Sequence, residues 1–254
     1  MSSQPSVEIN FEIRLNYDGA DWTARSYETI YSGEGIRQLD SFYRWLLRLL
    51  QPVAGCRLLD VATGEGVLPN FARQLHGLDA VGSDLAFAAA QIGRREGAAA
   101  FCVSSGEALP FQSASFDYVT CIGSLEHFLD MRSGIREMAR VLRPDGRALI
   151  LVPNTYSILG NVYKAWKTGM STVDYQPLQR YAARAEWAML LEANGLQVCN
   201  TFKYERETPE TLAETIWYVQ HPRRLIQLAL TPFVPLNLAS CFVYLCQPTQ
   251  SAAS

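Results

Sequence analysis

Between residues 56 and 153, apolar and polar positions follow two rhythms that take turns. CRLLDVA (56–62), DAVGSD (79–84), AAFCVS (99–104), FDYVTCI (116–122) and RALILVP (147–153) are short apolar runs that read as strands. Residues 65–76, 85–96 and 130–142 carry helical spacing; in the third, Ile135, Met138, Ala139 and Leu142 fall on one face. Pro69 fits only the first turn or so of its helix. Arg140 and Arg143 suit the negative end of the third helix, and Pro144-Asp145-Gly146 reads as its stop. Strands alternating with helices predict an α/β fold, with a doubly wound, mostly parallel sheet and helices on both faces.

The flanks break this rhythm. Residues 1–16 are polar and alternate weakly, which suggests an arm. Within 36–50, Ile36, Leu39, Tyr43, Leu46, Leu47 and Leu50 share a helical face, and Pro52 and Gly55 stop that helix. Residues 154–180 read as irregular and polar-aromatic. A helix over 182–194 ends at Asn194-Gly195, and 196–204 and 239–247 read as two closing strands. That makes seven strands, the last antiparallel. The insert between the closing strands, 205–238, contains the unusually apolar RRLIQLALTPFVPLNL. The pattern divides one domain into an arm and helix (1–50), a core (51–153) and a remainder (154–254). In the remainder, inserts 154–180 and 205–238 form a cap.

A chain of 254 residues can bury a full core without staples. Its hydrophobic fraction of 48% and charged fraction of 19% are those of a soluble globular protein. A net charge of −3 argues against a nucleic-acid partner. Cys56, Cys102, Cys121, Cys199, Cys241 and Cys246 form no CxxC pair, and with three histidines no metal-ligand spacing arises. Free cysteines predict a reducing, cytoplasmic compartment. MSSQPSVEIN lacks the basic-then-apolar order of a signal peptide, and no apolar run reaches spanning length.

Candidate chemistry begins where the first strand ends. Asp60 is followed by Ala62, Gly64 and Gly66, spaced by two and leading into a helix. Small residues let the backbone turn tightly and approach a ligand, although a strand-to-helix turn alone also asks for glycine. A dinucleotide loop needs its third glycine three residues after the second; position 67 is Val. An acid at the strand's own end sits badly beside a diphosphate and suits a cofactor with a cationic amino-acid tail. Asp84, ending the second strand, can accept ribose hydroxyls or simply cap the next helix.

In order, LLDVATGEG, VGSD, SSGEALPFQSASFDYVTCIGSLEHF and REMARVLRPDG resemble the class I S-adenosylmethionine methyltransferases. The resemblance is to the subgroup with ubiquinone, menaquinone and natural-product enzymes. It covers 36–153 well and 181–247 loosely. It implies a Rossmann-like seven-stranded sheet and S-adenosyl-L-methionine as cofactor. It places Asp60 near the methionine amino group and Ala62, Gly64 and Gly66 in the glycine loop, with Ala replacing the first glycine. It makes Asp84 the ribose-binding acid and sets Leu85 against adenine. Ser105 stands where the family usually has an adenine-binding aspartate, so the backbone of Gly106 and Glu107 is the alternative contact. Cys121, Ile122 and Gly123 match the strand end that faces the methionine part. Tyr17, Tyr27 and Tyr31 lie in the segment that covers the cofactor in similar enzymes. Tyr31 is taken as a cofactor contact; core packing is the alternative for each.

The cofactor supplies the chemistry and the protein the placement. A hydroxyl or carbon-acid acceptor also needs a base. His127, just past the fourth strand, is the candidate, since an imidazole titrates near pH ~6.5. A packing histidine is the plainer reading, and Glu126 competes for the role. Tyr156, Tyr163, Trp166 and Tyr175 in one insert, and Trp217, Tyr218 and Phe233 in the other, suit an apolar or aromatic small acceptor, or pack a cap or dimer interface. His221 in that second insert is expected at the surface. The expected function is O-methylation of such a molecule in secondary or lipid/quinone metabolism. N- or C-methylation is the alternative, and a NAD(P)-dependent oxidoreductase comes third. The loop spacing and the closing antiparallel pair argue against the oxidoreductase. Arg223-Arg224 before the apolar run raises a peripheral membrane contact, which Pro232 and Pro235 weaken.

Overall fold

Each central strand presents two apolar faces, so its sheet is stable only when covered on both sides. The computed structural model, which describes residues 9, 11–15, 21–33, 36–97, 99–170, 172 and 176–249, provides both covers. Tyr17, Tyr175 and most of the 1–16 arm lie outside the described residues. Two short strands, β1 (Glu12–Arg14) and β7 (Leu178–Arg180), pair antiparallel apart from the main sheet. The main sheet contains β2 (Arg57–Val61), β3 (Asp79–Asp84), β4 (Ala100–Val103), β5 (Phe116–Ile122), β6 (Leu142–Pro153), β8 (Leu196–Tyr204) and β9 (Cys241–Pro248). Their order is β4-β3-β2-β5-β6-β9-β8. The seven-stranded expectation holds, and the antiparallel strand is the last in the chain, inserted between β6 and β8.

Alternation along the strands divides the core. Leu58, Leu149, Leu151 and Val243 face helices α2 (Asp40–Leu50) and α3 (Val67–His76), meeting Leu46, Leu47, Leu50 and Leu68. Leu59, Val119, Ile150 and Tyr244 face α5 (Met131–Val141) and α7 (Arg184–Glu192), meeting Ile135, Met138 and Trp187. Helix α1 (Trp22–Ser32) packs on α4 (Phe87–Glu96) through Tyr31, Ala86 and Ala89.

Several boundaries differ from the sequence reading. Helix α2 starts at Asp40, because Leu39 is extended, and it buries Phe42, which lies off the expected face. The LRPDG segment does not end α5 as a turn; it is the irregular start of β6. Leu142 pairs with Phe116 and Arg147 with Tyr118, so residues 143–146 bulge out, and Arg143 pairs with Asp117 instead of a helix end. Insert 154–180 is less irregular than expected: a π-turn over Ile158–Val162 leads into α6 (Tyr163–Thr168). Insert 205–238 folds as α8 (Leu212–Gln220) and α9 (Pro222–Leu230), followed by two 3-10 turns. Among the described residues no helix is long and apolar enough to cross a membrane, and no group of three potential ligands could hold a metal.

Two polar clamps seat the second insert. Glu214 caps α8 from within a Thr211 capping box and also accepts the Ser41 amide of α2 at 2.9 Å. Asn154, buried at the end of β6, donates to the carbonyls of Asn237 (3.0 Å) and Ala239 (2.8 Å) and accepts from the Tyr156 amide (3.0 Å). Asn154→Ala strands all three backbone groups. A loss of about 1–3 kcal/mol in urea unfolding, with an unchanged slope, is expected.

Candidate active site

In a doubly wound sheet the crevice opens beyond the strands' carboxyl ends, where the strand order reverses. Here the reversal falls between β2 and β5, and a cavity of about 470 Å³ lies there. Asp60 stands at its floor. Its register partner across the reversal is Thr120, whose hydroxyl donates to Oδ1 at 2.5 Å; Thr63 donates to Oδ2 at 2.6 Å. Burial pushes the Asp60 carboxyl up to about 6, against the two hydroxyls, and nearby Asp84 adds to the rise.

The loop after β2 runs through three left-handed positions: Ala62 (φ 54°), Gly64 (56°) and Gly66 (71°). Ala62 holds a conformation that costs a residue with a side chain about 1 kcal/mol or more. A Cβ at Gly64 would lie 2.6 Å from the Tyr31 hydroxyl, so this glycine lets Tyr31 close over the loop. Gly66 serves a different neighbour. A Cβ there would lie 2.1 Å from the Phe101 ring, and the residue is absent from the cavity wall.

Asp84 is not an ordinary helix cap. Its Oδ2 accepts the Gly64 amide at 2.7 Å and its Oδ1 the Ala86 amide at 2.9 Å, bracing the loop against β3. Burial raises its carboxyl, while these amides and that of Leu85 oppose the rise. Neither Asp60 nor Asp84 has a cation within 4.0 Å among the described residues.

Leu85, Ser105, Gly106, Glu107 and Ile122 line the cavity with Tyr31, Ala62 and Gly64. The Ser105 hydroxyl accepts the Glu107 amide at 3.1 Å, and Glu107 Oε1 accepts the Leu129 amide at 2.7 Å. Cys121 does not reach the cavity wall. Its side chain is fully buried in the core on the α5 side, where burial pushes the thiol well up. Beyond it Ile122, Gly123 and Ser124 carry the strand end into the cavity.

His127 lies in a 3-10 turn over Leu125–His127, buried yet lining the cavity. Its Nδ1 meets the Leu178 carbonyl. A carbonyl only accepts, so Nδ1 carries a proton, and in the neutral imidazole the lone pair then belongs to Nε2. Nε2 lies 3.7 Å from Glu126 Oε1. Tyr27 packs its ring edge-on to the imidazole at 6.3 Å and donates to Gln176 at 3.2 Å.

The described aromatics of the two inserts do not line the cavity, whose rings come instead from Tyr27, Tyr31, Phe42, Tyr43, Phe128 and Tyr204. Tyr156, Tyr163, Trp166 and Phe233 are exposed, Trp217 stacks on exposed His221, and Tyr218 is buried with its hydroxyl on the Glu207 carbonyl. None of the six lines the cavity. The far wall is made instead by Tyr204, Glu205, Arg206, Arg224, Gln227, Ser240 and Cys241. Sequence reasoning missed these and Thr120, because only strand order and register bring them to the crevice.

The architecture and crevice define a doubly wound, nucleotide-type fold. Comparison with known proteins makes it specific. Residues 59–150 match the family model described as a methyltransferase domain. The chain is 29% identical over 160 residues to the uncharacterized methyltransferase YcgJ of Bacillus subtilis, covering 59% of this chain and 62% of that protein. It is 32% identical over 117 residues to the ubiquinone/menaquinone biosynthesis C-methyltransferase UbiE of Geotalea uraniireducens, covering 42% of this chain and 50% of that one. It thus spans between half and two thirds of these relatives. Among solved structures, a Haloferax volcanii complex of the Trm112 methyltransferase activator with its methyltransferase superposes with a TM-score of 0.62 at 18% identity, over 83% of this chain and 90% of that one. A Streptomyces coelicolor geranyl diphosphate C-methyltransferase, solved with S-adenosyl-L-homocysteine, superposes with 0.60 at 14% identity, over 82% and 77%. Residues 59–150 are thus similar to a methyltransferase domain, and the sheet that holds them shares the fold of these neighbours.

Asp60 gives the site a pH signature. Its folded pKa of about 6 lies above the unfolded 3.8, so its contribution to stability is present below 3.8 and lost as pH rises through 6. Asp60→Asn is therefore expected to stabilise the ligand-free protein at pH ~7 by up to about 3 kcal/mol and to gain almost nothing near pH ~4. Urea titrations at the two pH values check it.

Proposed function

We propose that this chain is an S-adenosylmethionine-dependent methyltransferase acting on a small molecule whose acceptor atom must lose a proton, with oxygen as the first candidate. The observation that carries this is the pair of buried carboxylates, Asp60 and Asp84, on one cavity, around a left-handed loop, with no cation within 4.0 Å of either among the described residues. A diphosphate would meet two buried acids there. A cofactor with an ammonium group and a ribose diol meets acceptors instead. The residues fit such a group. Asp84 retains lone pairs for ribose hydroxyls, and Asp60 lies where it can hold the ammonium. Tyr31, closed over Gly64, suits the carboxylate end, and Leu85 and the Ser105–Glu107 turn suit the base. Gly66 and Cys121 act through the fold, by admitting Phe101 and by filling the core.

When bound, the cofactor supplies a sulfonium-bound methyl. The protein's part is to hold an acceptor in line and to remove its proton. His127 suits proton removal because it lines the cavity and, as a neutral imidazole with Nδ1–H on the Leu178 carbonyl, has its lone pair on Nε2. The Glu126 carboxylate then steadies the imidazolium that forms. Transfer to carbon is a second reading, favoured by the C-methyltransferase among the relatives; it needs the same base. The acidic net charge and free cysteines fit a small-molecule acceptor and a reducing, cytoplasmic setting.

Asp84→Ala is expected to weaken S-adenosyl-L-homocysteine binding more than tenfold in calorimetry; unchanged affinity would remove Asp84 from the ribose site. His127→Gln is expected to lower turnover about a hundredfold or more while leaving that affinity intact. Full activity would return His127 to a packing role. NMR of the methylated product separates oxygen from carbon as acceptor.

A further inference from the structure

We propose that the outer end of the cavity grips an anionic group on the methyl acceptor, a carboxylate or phosphate, through Arg206 and Arg224. This rests on the methyltransferase reading, which makes that end the acceptor's. Along the sheet's carboxyl edge, Tyr204 pairs with Cys241 and Cys241 with Pro153, so β8 ends four strands from Asp60. At about 4.8 Å per strand this is roughly 19 Å, too far for the residues beyond Tyr204 to share the Asp60 site. Yet Arg206 and Arg224 line the same cavity as Asp60.

Both cations are tied to the same stretch of α9. Arg206 Nε donates to Gln227 Oε1 at 3.1 Å. Arg224 lies three residues before Gln227 on α9 and therefore on the same helix face. Neither guanidinium has a carboxylate within 4.0 Å among the described residues, although the chain as a whole is acidic. The acids beside Arg206 make their hydrogen bonds elsewhere, although the Glu205 carboxylate still feels the guanidinium. Glu205 takes the Ser240 amide and hydroxyl, both at 2.7 Å, and Glu207 takes the Tyr204 hydroxyl at 2.5 Å. Arg224 also stands in the first turn of α9, where the helix dipole is positive and offers it no relief. Two guanidiniums against the single Glu205 carboxylate leave this end of the cavity net positive, and a planar or tetrahedral oxyanion matches the fork geometry arginine provides. The inner wall carries Glu126 beside His127 and repels an anion. The acceptor is thus oriented with its charged group outward and its uncharged, methylatable part toward His127.

The test uses the full chain saturated with S-adenosyl-L-homocysteine and ligand-observed NMR with three probes: benzoate, phenyl phosphate and neutral benzyl alcohol. At least one anion is expected to bind at least tenfold more tightly than benzyl alcohol, and the stronger of the two identifies the oxyanion. Arg206→Gln and Arg224→Gln should each reduce that binding about tenfold and leave S-adenosyl-L-homocysteine affinity unchanged. Arg206→Lys should fall between wild type and Arg206→Gln. Anions that bind no better than the alcohol, or variants that bind them like wild type, overturn the proposal. So does loss of S-adenosyl-L-homocysteine affinity in the variants, which would assign the pair to the cofactor or the fold. Failure of the wild-type chain to bind S-adenosyl-L-homocysteine sinks the methyltransferase reading instead.

Discussion

The reversal of strand order between β2 and β5 leaves adjacent parallel strands whose onward connections diverge, which opens a crevice beyond their carboxyl ends. Here a buried carboxylate lines it. Asp60 spans the reversal through the Thr120 hydroxyl and ties down its own loop through Thr63. Asp84 repeats the device one strand away by taking the Gly64 amide. Both acids are buried with no cation within 4.0 Å among the described residues, which opposes their ionisation and leaves the free protein electrostatically unsatisfied. That cost is tolerable in a site whose ligand brings positive charge and hydroxyl donors.

The candidate base is positioned from much farther along the chain. The carbonyl that orients His127 belongs to Leu178 in β7, and β7 is held by pairing with β1. Arg180 of β7 reinforces the strap, donating to the carbonyls of Phe128 and Leu129 and pairing with Glu12 of β1 at 2.7 Å. The N-terminal arm thus acts on the site through backbone registration. Its polar, weakly alternating sequence gives little sign of this, because a three-residue strand pair makes no strong pattern of its own.

The sheet alone does not specify an acceptor, since one such fold hosts many chemistries. The sequence reading placed specificity in the inserts, and here the geometry redirects that argument. Their aromatic residues, which suggested an apolar pocket, mostly face solvent or pack among themselves. The wall they were expected to form is polar and cationic. An aromatic side chain in an insert says only that apolar area is available; the helix face that carries it decides where that area goes.

The sheet's strands were legible because each short apolar run must be buried whatever surrounds it, and the loop from Asp60 to Gly66 because left-handed turns select small residues. Asp84 was legible as a strand-end acid. Beyond local physics the sequence was silent or misleading. It could not separate Gly64, which admits Tyr31 to the cavity, from Gly66, which makes room for the half-buried Phe101 ring, because both satisfy the same backbone demand. It read the LRPDG segment as a helix stop, while pairing with Phe116 and Tyr118 drew it into β6 as a bulge. Asp60 with Thr120, His127 with Leu178, and Arg206 with Gln227 are each separated by at least 21 residues and become neighbours only through strand order and helix docking. The sequence by itself determined the type of fold and the residues that open the crevice, since these follow from local periodicity and steric freedom. The tertiary structure alone decided which side chains face one another across it, since that depends on register.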